Sequence, residues 1–387
     1  MSPLWLIYAR SLIHALIIAL IGISPWHGSV SPADLGNDFL VFWPVGHLVT
    51  TTDAARVYDP PWFSAWQSSH LMTDVRKHLQ FFYPPPALLL TLIATPFSFM
   101  AGFLVWTAIL TCTAIALLWR ANVPWIVIFL GLLSTAGLYN MFVGQLGFLT
   151  GAMFISGLSF AETTPSTSGL ILGALVLKPQ AGLLAPVTLL ARHQKQAIVT
   201  GVTTILLLCV VTTNICGWSI WPAFLFEGLK TSHQILVTPF PTVWECSGAS
   251  VFWMIRSLGG SVGVAGVIQT ISAAGAIAIC FHAWRRPVTD RTALIALTVM
   301  LTLLVTPYGY TTDLCGVSIM VAWLAWERRK LQTADVLIWM WPALCPIIAI
   351  SLHMELTPLI LLVGAIRAYH RLDGIGTTAP ACYPASV

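Results

Sequence analysis

The chain has 387 residues, of which 57% are hydrophobic and only 8% charged, with 17 tryptophans and a mean hydropathy of +0.84. A soluble chain carries about a quarter charged residues, so composition excludes a soluble enzyme and points away from any nucleic-acid partner. The formal net charge of +4 says little; where the charges fall says more.

The first apolar run, 4–24, contains Arg10 and has no small-x-small cleavage pattern before Trp26, so it is expected to be an uncleaved first span. Apolar runs near the roughly 20 residues needed to cross a bilayer then recur along the chain. About twelve spans are expected, at 4–24, 84–99, 101–120, 123–139, 146–161, 168–191, 196–216, 263–284, 291–307, 313–326, 334–351 and 355–370. The breaks carry Pro, Gly or charge clusters, as helix ends do. The whole chain, 1–387, reads as one all-α polytopic membrane domain, because spans must satisfy their backbone hydrogen bonds internally.

On this count the basic clusters Arg192/Lys195, Arg285/Arg286/Arg291, Arg328/Arg329/Lys330 and Arg367/Arg371 share one side. The positive-inside rule makes that side cytoplasmic. Asp34, Asp38, Asp53, Asp59, Asp74, Glu227, Glu245 and Asp313 face the other way, with both termini inside. The same count puts 140–145 at a cytoplasmic turn, although Gly144-Gln145 reads more like a lining element. Cys216 and Cys246 both fall outside and are left open as a pair or as reduced thiols. The chain has no Cys-x-x-Cys and no His-x-x-x-His, so no structural metal is expected. No internal repeat is evident, which weighs against transporter folds built from inverted halves.

Between the spans lie two outer segments. The first, 25–83, opens with Gly36-Asn37-Asp38-Phe39 and closes at Phe82-Tyr83-Pro84-Pro85-Pro86. Its Trp43, Tyr58, Trp62, Phe63 and Trp66 suit short helices at headgroup level. Asp38 is either a solvated loop charge or a general base whose aromatic neighbours raise its pKa toward a useful range. The second outer segment, 217–262, carries Arg256, which either snorkels to anionic lipid or holds a lipid phosphate in bidentate fashion. Lys178, in Lys178-Pro179-Gln180, lies inside an apolar run, where a charge either faces a cavity or snorkels from an early helix end. Thr306-Pro307-Tyr308 ends a span and is followed by Asp313, a helix cap or a site carboxylate.

Together these pieces resemble glycosyltransferase family 87. Asn37-Asp38-Phe39, Tyr58-Asp59, Tyr83-Pro84-Pro85-Pro86, Gly144-Gln145, Lys178-Pro179-Gln180, Ser250-Val251-Phe252 with Arg256, and Thr306-Pro307-Tyr308 with Asp313 follow the family's order, over about residues 25 to 325. Thr312-Asp313 stands where the family commonly has Tyr-Asp, and the C-terminal part is short. The resemblance implies a GT-C-type fold and a polyprenol-phosphate-mannose-dependent α-1,2-mannosyltransferase or a relative. It implies Asp38 as catalytic base, Arg256 and Lys178 at the donor phosphate, and Asn37, Tyr58, Tyr83, Gln145, Tyr308 and Asp313 as pocket candidates. A sugar on a polyprenyl phosphate brings a stable leaving group, so one base suffices where a hydrolase needs two carboxylates. No metal or other cofactor is expected, with cationic side chains meeting the phosphate. The expected partners are membrane lipids, the polyprenyl-phosphate sugar and a lipid or glycan acceptor, met by a monomer in a bacterial inner membrane with its site outside. The competing classes are a lipid-linked sugar transporter or flippase, and a non-catalytic envelope-assembly protein. Neither class requires Asp38.

Overall fold

The computed structural model describes residues 35–70, 79–240, 247–287 and 290–373. The expected span 4–24 and Cys246 lie outside them. Among the described residues the regular structure is helical, the one β feature being an isolated bridge between Gly248 and Tyr310.

Three apolar helices form the centre because they are hydrophobic all round, as a helix without a solvent or lipid face must be. Every residue from Ala293 to Leu304 of Arg291–Val305 is buried, as are Cys315 to Ala325 of Cys315–Arg328 and most of Gly147–Phe160. Around them stand helices with one buried stripe and one outward apolar face. Lys195–Cys216 exposes Val199, Val202, Leu206, Leu207 and Val210; Val262–Arg285 exposes Val264, Val267 and Ile271. An apolar surface of that extent fits lipid.

In chain order, α1 is Phe39–Leu48, α2 Pro60–His70, α3 Leu88–Thr91, α4 Phe99–Arg120, α5 Trp125–Leu132, α6 Thr135–Val143, α7 Gly147–Phe160, α8 Pro165–Ala174 and α9 Ala185–Ala191. They are followed by α10 Lys195–Cys216, α11 Ile220–Ala223, α12 Leu229–Val237, α13 Val251–Ser257, α14 Val262–Arg285, α15 Arg291–Val305, α16 Cys315–Arg328, α17 Thr333–Leu352 and α18 Thr357–Asp373. By length and composition α4, α10, α14 and α17 can each cross a bilayer. The pair α5–α6, bent by 59° at its break, makes up to five among the described residues. The protein is thus an all-helical polytopic membrane protein.

Several expected spans take a different form. The run 84–99 is a 3-10 turn, Pro85–Ala87, and the single helical turn α3, followed by further turns up to Ser98. Three consecutive prolines deny it the amide donors of a through-going helix. The run 168–191 is split around Lys178 into α8, two 3-10 turns and α9. The segment 25–83 is also less of a loop than expected. Its helix α1 is sunk in the core, with Phe39, Phe42, Val45 and Leu48 all buried, because it is nearly as apolar as a span. Only α2, with its half-buried Trp62 and Trp66, has the character of an interfacial helix.

The basic clusters are tied into one ionic network. Glu162 pairs with Arg192 at 3.6 Å and Arg291 at 3.0 Å. Asp290 and Glu327 both pair with Arg371, and Asp335 meets Arg328 and Arg367 at 2.7 Å each. The ends of α7, α9, α15, α16, α17 and α18 thereby meet on a single charged face.

Candidate active site

A cavity of about 720 Å³ opens among α1, the 79–84 segment, the α6–α7 junction, the break around Lys178, α12 and the 305–312 turn. Most of its wall is apolar: Val41, Phe42, Leu183, Phe224, Leu229 and Ile235. Two charged side chains, Asp38 and Lys178, line it among the described residues. A mainly apolar hollow with a few convergent polar groups is the usual form of a ligand site.

Asp38 stands at the N-cap of α1, but its carboxylate makes no capping bond to that helix. It accepts instead from the Gln145 amide, Nε2 to Oδ2, at 2.9 Å. The backbone brings the two together. Gly36 and Asp38 donate their N–H groups to the Phe142 and Val143 carbonyls at 2.9 and 3.0 Å, so the start of α1 runs along the end of α6. Gly144 then turns the chain at φ +81°, and a Cβ there would come within 2.8 Å of the Phe39 Cβ. Only glycine allows both the left-handed turn and the close approach, and this turn presents Gln145 to Asp38. Behind them Phe39 and Phe42 pack on Trp106 at 5.8 and 4.9 Å between ring centroids, and the Trp106 indole donates to the Gly144 carbonyl at 2.9 Å.

Gln145 therefore shares a wall with Asp38, and the expectation of a cytoplasmic turn at 140–145 is corrected. The count went wrong because 84–99 is a broken piece and α5–α6 is bent. Tyr83 joins them: its phenol donates to Gln145 Oε1 at 3.0 Å, and burial pushes that phenol up to about 12. Tyr58 is buried and off the cavity wall; its hydroxyl donates to the Tyr83 carbonyl at 2.7 Å. It holds Tyr83 from behind. Asn37 and Tyr308 are on the wall.

Lys178 sits at the break between two 3-10 turns, its side chain 4% exposed and its ammonium bonded to Oδ1 of Asp313. Asp313 lies behind it, and its other oxygen accepts from the Tyr310 N–H at 3.1 Å, so the carboxylate caps its turn and pairs the lysine at once. Asn140 fixes this turn to α6: its amide donates to the Thr312 carbonyl at 2.9 Å, and its oxygen accepts from the Phe148 N–H at 3.3 Å.

Arg256 is not brought to the cavity. Its guanidinium donates to the Gly260 carbonyl at 3.0 Å and the Thr238 carbonyl at 2.9 Å, tying the end of α13 to the end of α12. This placement does not support the expected phosphate contact, because the donors that would fork a phosphate are turned onto backbone. Tyr139 and Tyr310, which also line the cavity, were not singled out from sequence. For Tyr139 a signal existed in the polar Tyr139-Asn140 pair inside an apolar run. Among the described residues no three His, Cys, Asp or Glu side chains converge as metal donors.

A polytopic helical membrane protein with a charged pair and a carboxylate at one apolar cavity has the make-up of a membrane-embedded enzyme. The model of glycosyltransferase family 87 matches residues 81–307, more than half of the chain, and the chain belongs to that family. Membership makes it a membrane glycosyltransferase. Tyr83, Gln145, Lys178 and Arg256 fall within the matched stretch; Asp38 precedes it, and Tyr308 and Asp313 follow it. No curated protein and no solved structure matches the chain.

Proposed function

We infer that the protein transfers a hexose, mannose-like, from a polyprenyl-phosphate donor to a hydroxyl of a lipid or glycan acceptor, with inversion and without a metal. In this reading Asp38 takes the proton of the acceptor hydroxyl, and the freed oxygen pair attacks the anomeric carbon from the face opposite the phosphate. The bond from that carbon to the phosphate oxygen breaks, and its electron pair leaves with the polyprenyl phosphate. Lys178, with Asp313 as counter-ion, meets the phosphate charge. Arg256 serves as an anchor of α13. The reaction belongs on the extracytoplasmic face of a bacterial inner membrane, opposite the basic network.

The observation that carries this reading is that Asp38 and Lys178, a base and a cation, line the same largely apolar cavity. The cavity also suits a lipid-linked substrate. The strap from α11 to α12 turns Phe224, Leu229 and Ile235 inward, while Leu225 and Phe226 are 54% and 73% exposed beside it. A lipid tail can follow such a surface from the bilayer to the cavity.

Purified protein incubated with a panel of synthetic polyprenyl-phosphate sugars and candidate acceptors, followed by mass analysis, tests the reading. A glycosylated product is expected from wild type. Asp38→Asn is expected to lower turnover by about 10²–10⁴ with donor binding retained. Turnover near wild type in that variant defeats the base, and transfer only from nucleotide sugars defeats the donor.

A further inference from the structure

Gln145 is held more tightly than a wall residue requires. Its Oε1 accepts two hydrogen bonds, from the Tyr83 phenol at 3.0 Å and from the Leu146 N–H at 3.2 Å. A backbone N–H can only donate, so the oxygen end of the amide is fixed by its partners. The nitrogen end must then face Asp38 Oδ2, 2.9 Å away. The residues behind this amide are themselves pinned. The Gln145 N–H donates to the Asn140 carbonyl at 2.9 Å, the Tyr83 carbonyl accepts from Tyr58, and the Tyr83 ring lies 5.2 Å from that of Phe42. A chain of directed bonds thus runs Tyr58, Tyr83, Gln145, Asp38, across segments far apart in sequence.

The geometry points to Gln145 as the positioning residue of the transfer: oriented by Tyr83, its amide N–H fixes the plane of the Asp38 carboxylate and holds it as an acceptor facing the cavity. This rests on the reading of Asp38 as base. A carboxylate free to rotate presents its lone pairs to the acceptor hydroxyl only part of the time, whereas one held by a donor meets it in one orientation. A donor to the charged form also favours that form. Other groups in the electrostatic surroundings are Lys178 and Asp313 from the opposite wall and the phenols of Tyr83 and Tyr139. Of these, Lys178 is already paired by Asp313, which leaves the Gln145 amide as the directed donor from α7's end of the site.

The test compares wild type with Gln145→Leu, Gln145→Glu, Tyr83→Phe and Asp38→Asn. The substrate is a synthetic polyprenyl-phosphate mannose, its transfer or hydrolysis the readout. In parallel, the pH midpoint of the protonated carboxyl stretch assigned to Asp38 is followed by infrared difference spectroscopy, the band identified by its loss in Asp38→Asn. Gln145→Leu is expected to lower kcat by about tenfold to a hundredfold with KM for the donor nearly unchanged, and to move the Asp38 midpoint and the acid limb of the rate profile up by about one pH unit. Gln145→Glu, close in shape and able to keep the Tyr83 bond, is expected to raise the midpoint further by setting a second carboxylate against the first. Tyr83→Phe is expected to shift both readouts in the same direction by less. A midpoint unchanged in both Gln145 variants overturns the positioning role whether or not turnover is measurable. Full turnover in Asp38→Asn overturns the base instead, so the two failures are distinguishable.

Discussion

The ammonium of Lys178 and the carboxylate of Asp313 meet across 135 residues of chain, each side chain almost wholly buried, at 4% and 3% exposure. A lysine deep in an apolar run is tolerated because the partner arrives on a turn that is itself anchored by Asn140. The two charges cancel, so the cavity keeps a cation for an incoming phosphate without holding a lone buried charge.

Removing one member of that pair strands the other. Lys178→Met or Asp313→Asn is expected to lower stability by about 3–5 kcal/mol, read as a fall in the thermal midpoint of the detergent-solubilised protein. The double variant Lys178→Met with Asp313→Leu is expected to recover most of the loss and still fail to bind donor. Recovery of donor binding in the double variant would remove Lys178 from the phosphate site.

Gly147 makes a second prediction about assembly of the site. A Cβ there would lie 1.9 Å from the Thr312 carbonyl oxygen, so Gly147→Ala must push the 311–314 turn away from α7. The expected cost is at least about 2 kcal/mol, together with loss of activity, since that turn carries the partner of Lys178. A variant with wild-type melting and turnover would contradict the close packing of these segments.

Glu355, between α17 and α18, gives the protein a pH dependence. Its side chain is fully buried, Oε1 accepts from the Thr357 N–H at 2.7 Å, and Oε2 has no hydrogen-bond partner among the described residues. Burial pushes the carboxyl from its ordinary 4.5 up to about 8. The unfolded chain therefore gives up this proton at lower pH than the folded one. Stability is expected to fall as pH rises from about 4.5 to 8, by roughly 1.4 kcal/mol per unit within that window, and to level off above it. Glu355→Gln is expected to flatten the curve of thermal midpoint against pH over the same interval. An unchanged slope in that variant would assign the dependence to other groups.

Sidedness supplies the fourth prediction. In a background without native cysteines, a cysteine at the exposed Ser69 on α2 or at Ser31 is expected to react with a membrane-impermeant thiol reagent in intact cells. A cysteine at Gln194, beside the ionic network, is expected to react only after lysis. The opposite pattern would put the cavity on the cytoplasmic side and take away the reason for a flipped lipid donor.

Much of this architecture was legible in the residues. The aromatic setting of Asp38 and the depth of Lys178 both announce groups held for a purpose, and the basic clusters announce one common face. The span count was not legible, because it treats each apolar run as one crossing. Hydropathy cannot distinguish a straight helix from α5 and α6, bent by 59°, or from a run broken at Lys178. For the same reason Gln145 carried two contradictory readings until the path of the chain put it beside Asp38. Arg256 misled for another reason: its acceptors are backbone carbonyls at Thr238 and Gly260, and a carbonyl has no signature in an amino-acid sequence.

The strap over the cavity contains a π turn, Phe224–Gly228, set between α11 and α12. Such a turn corresponds to one residue more than an α-helix would need over the same stretch. Deleting that residue would let the strap close into a continuous α-helix and rotate everything beyond it by about 100°. Leu229, Ser232 and Ile235 would then leave the cavity and their neighbours would take their places. Surface segments ordinarily absorb changes in length, but here the number of residues is itself a determinant of which side chains the substrate meets.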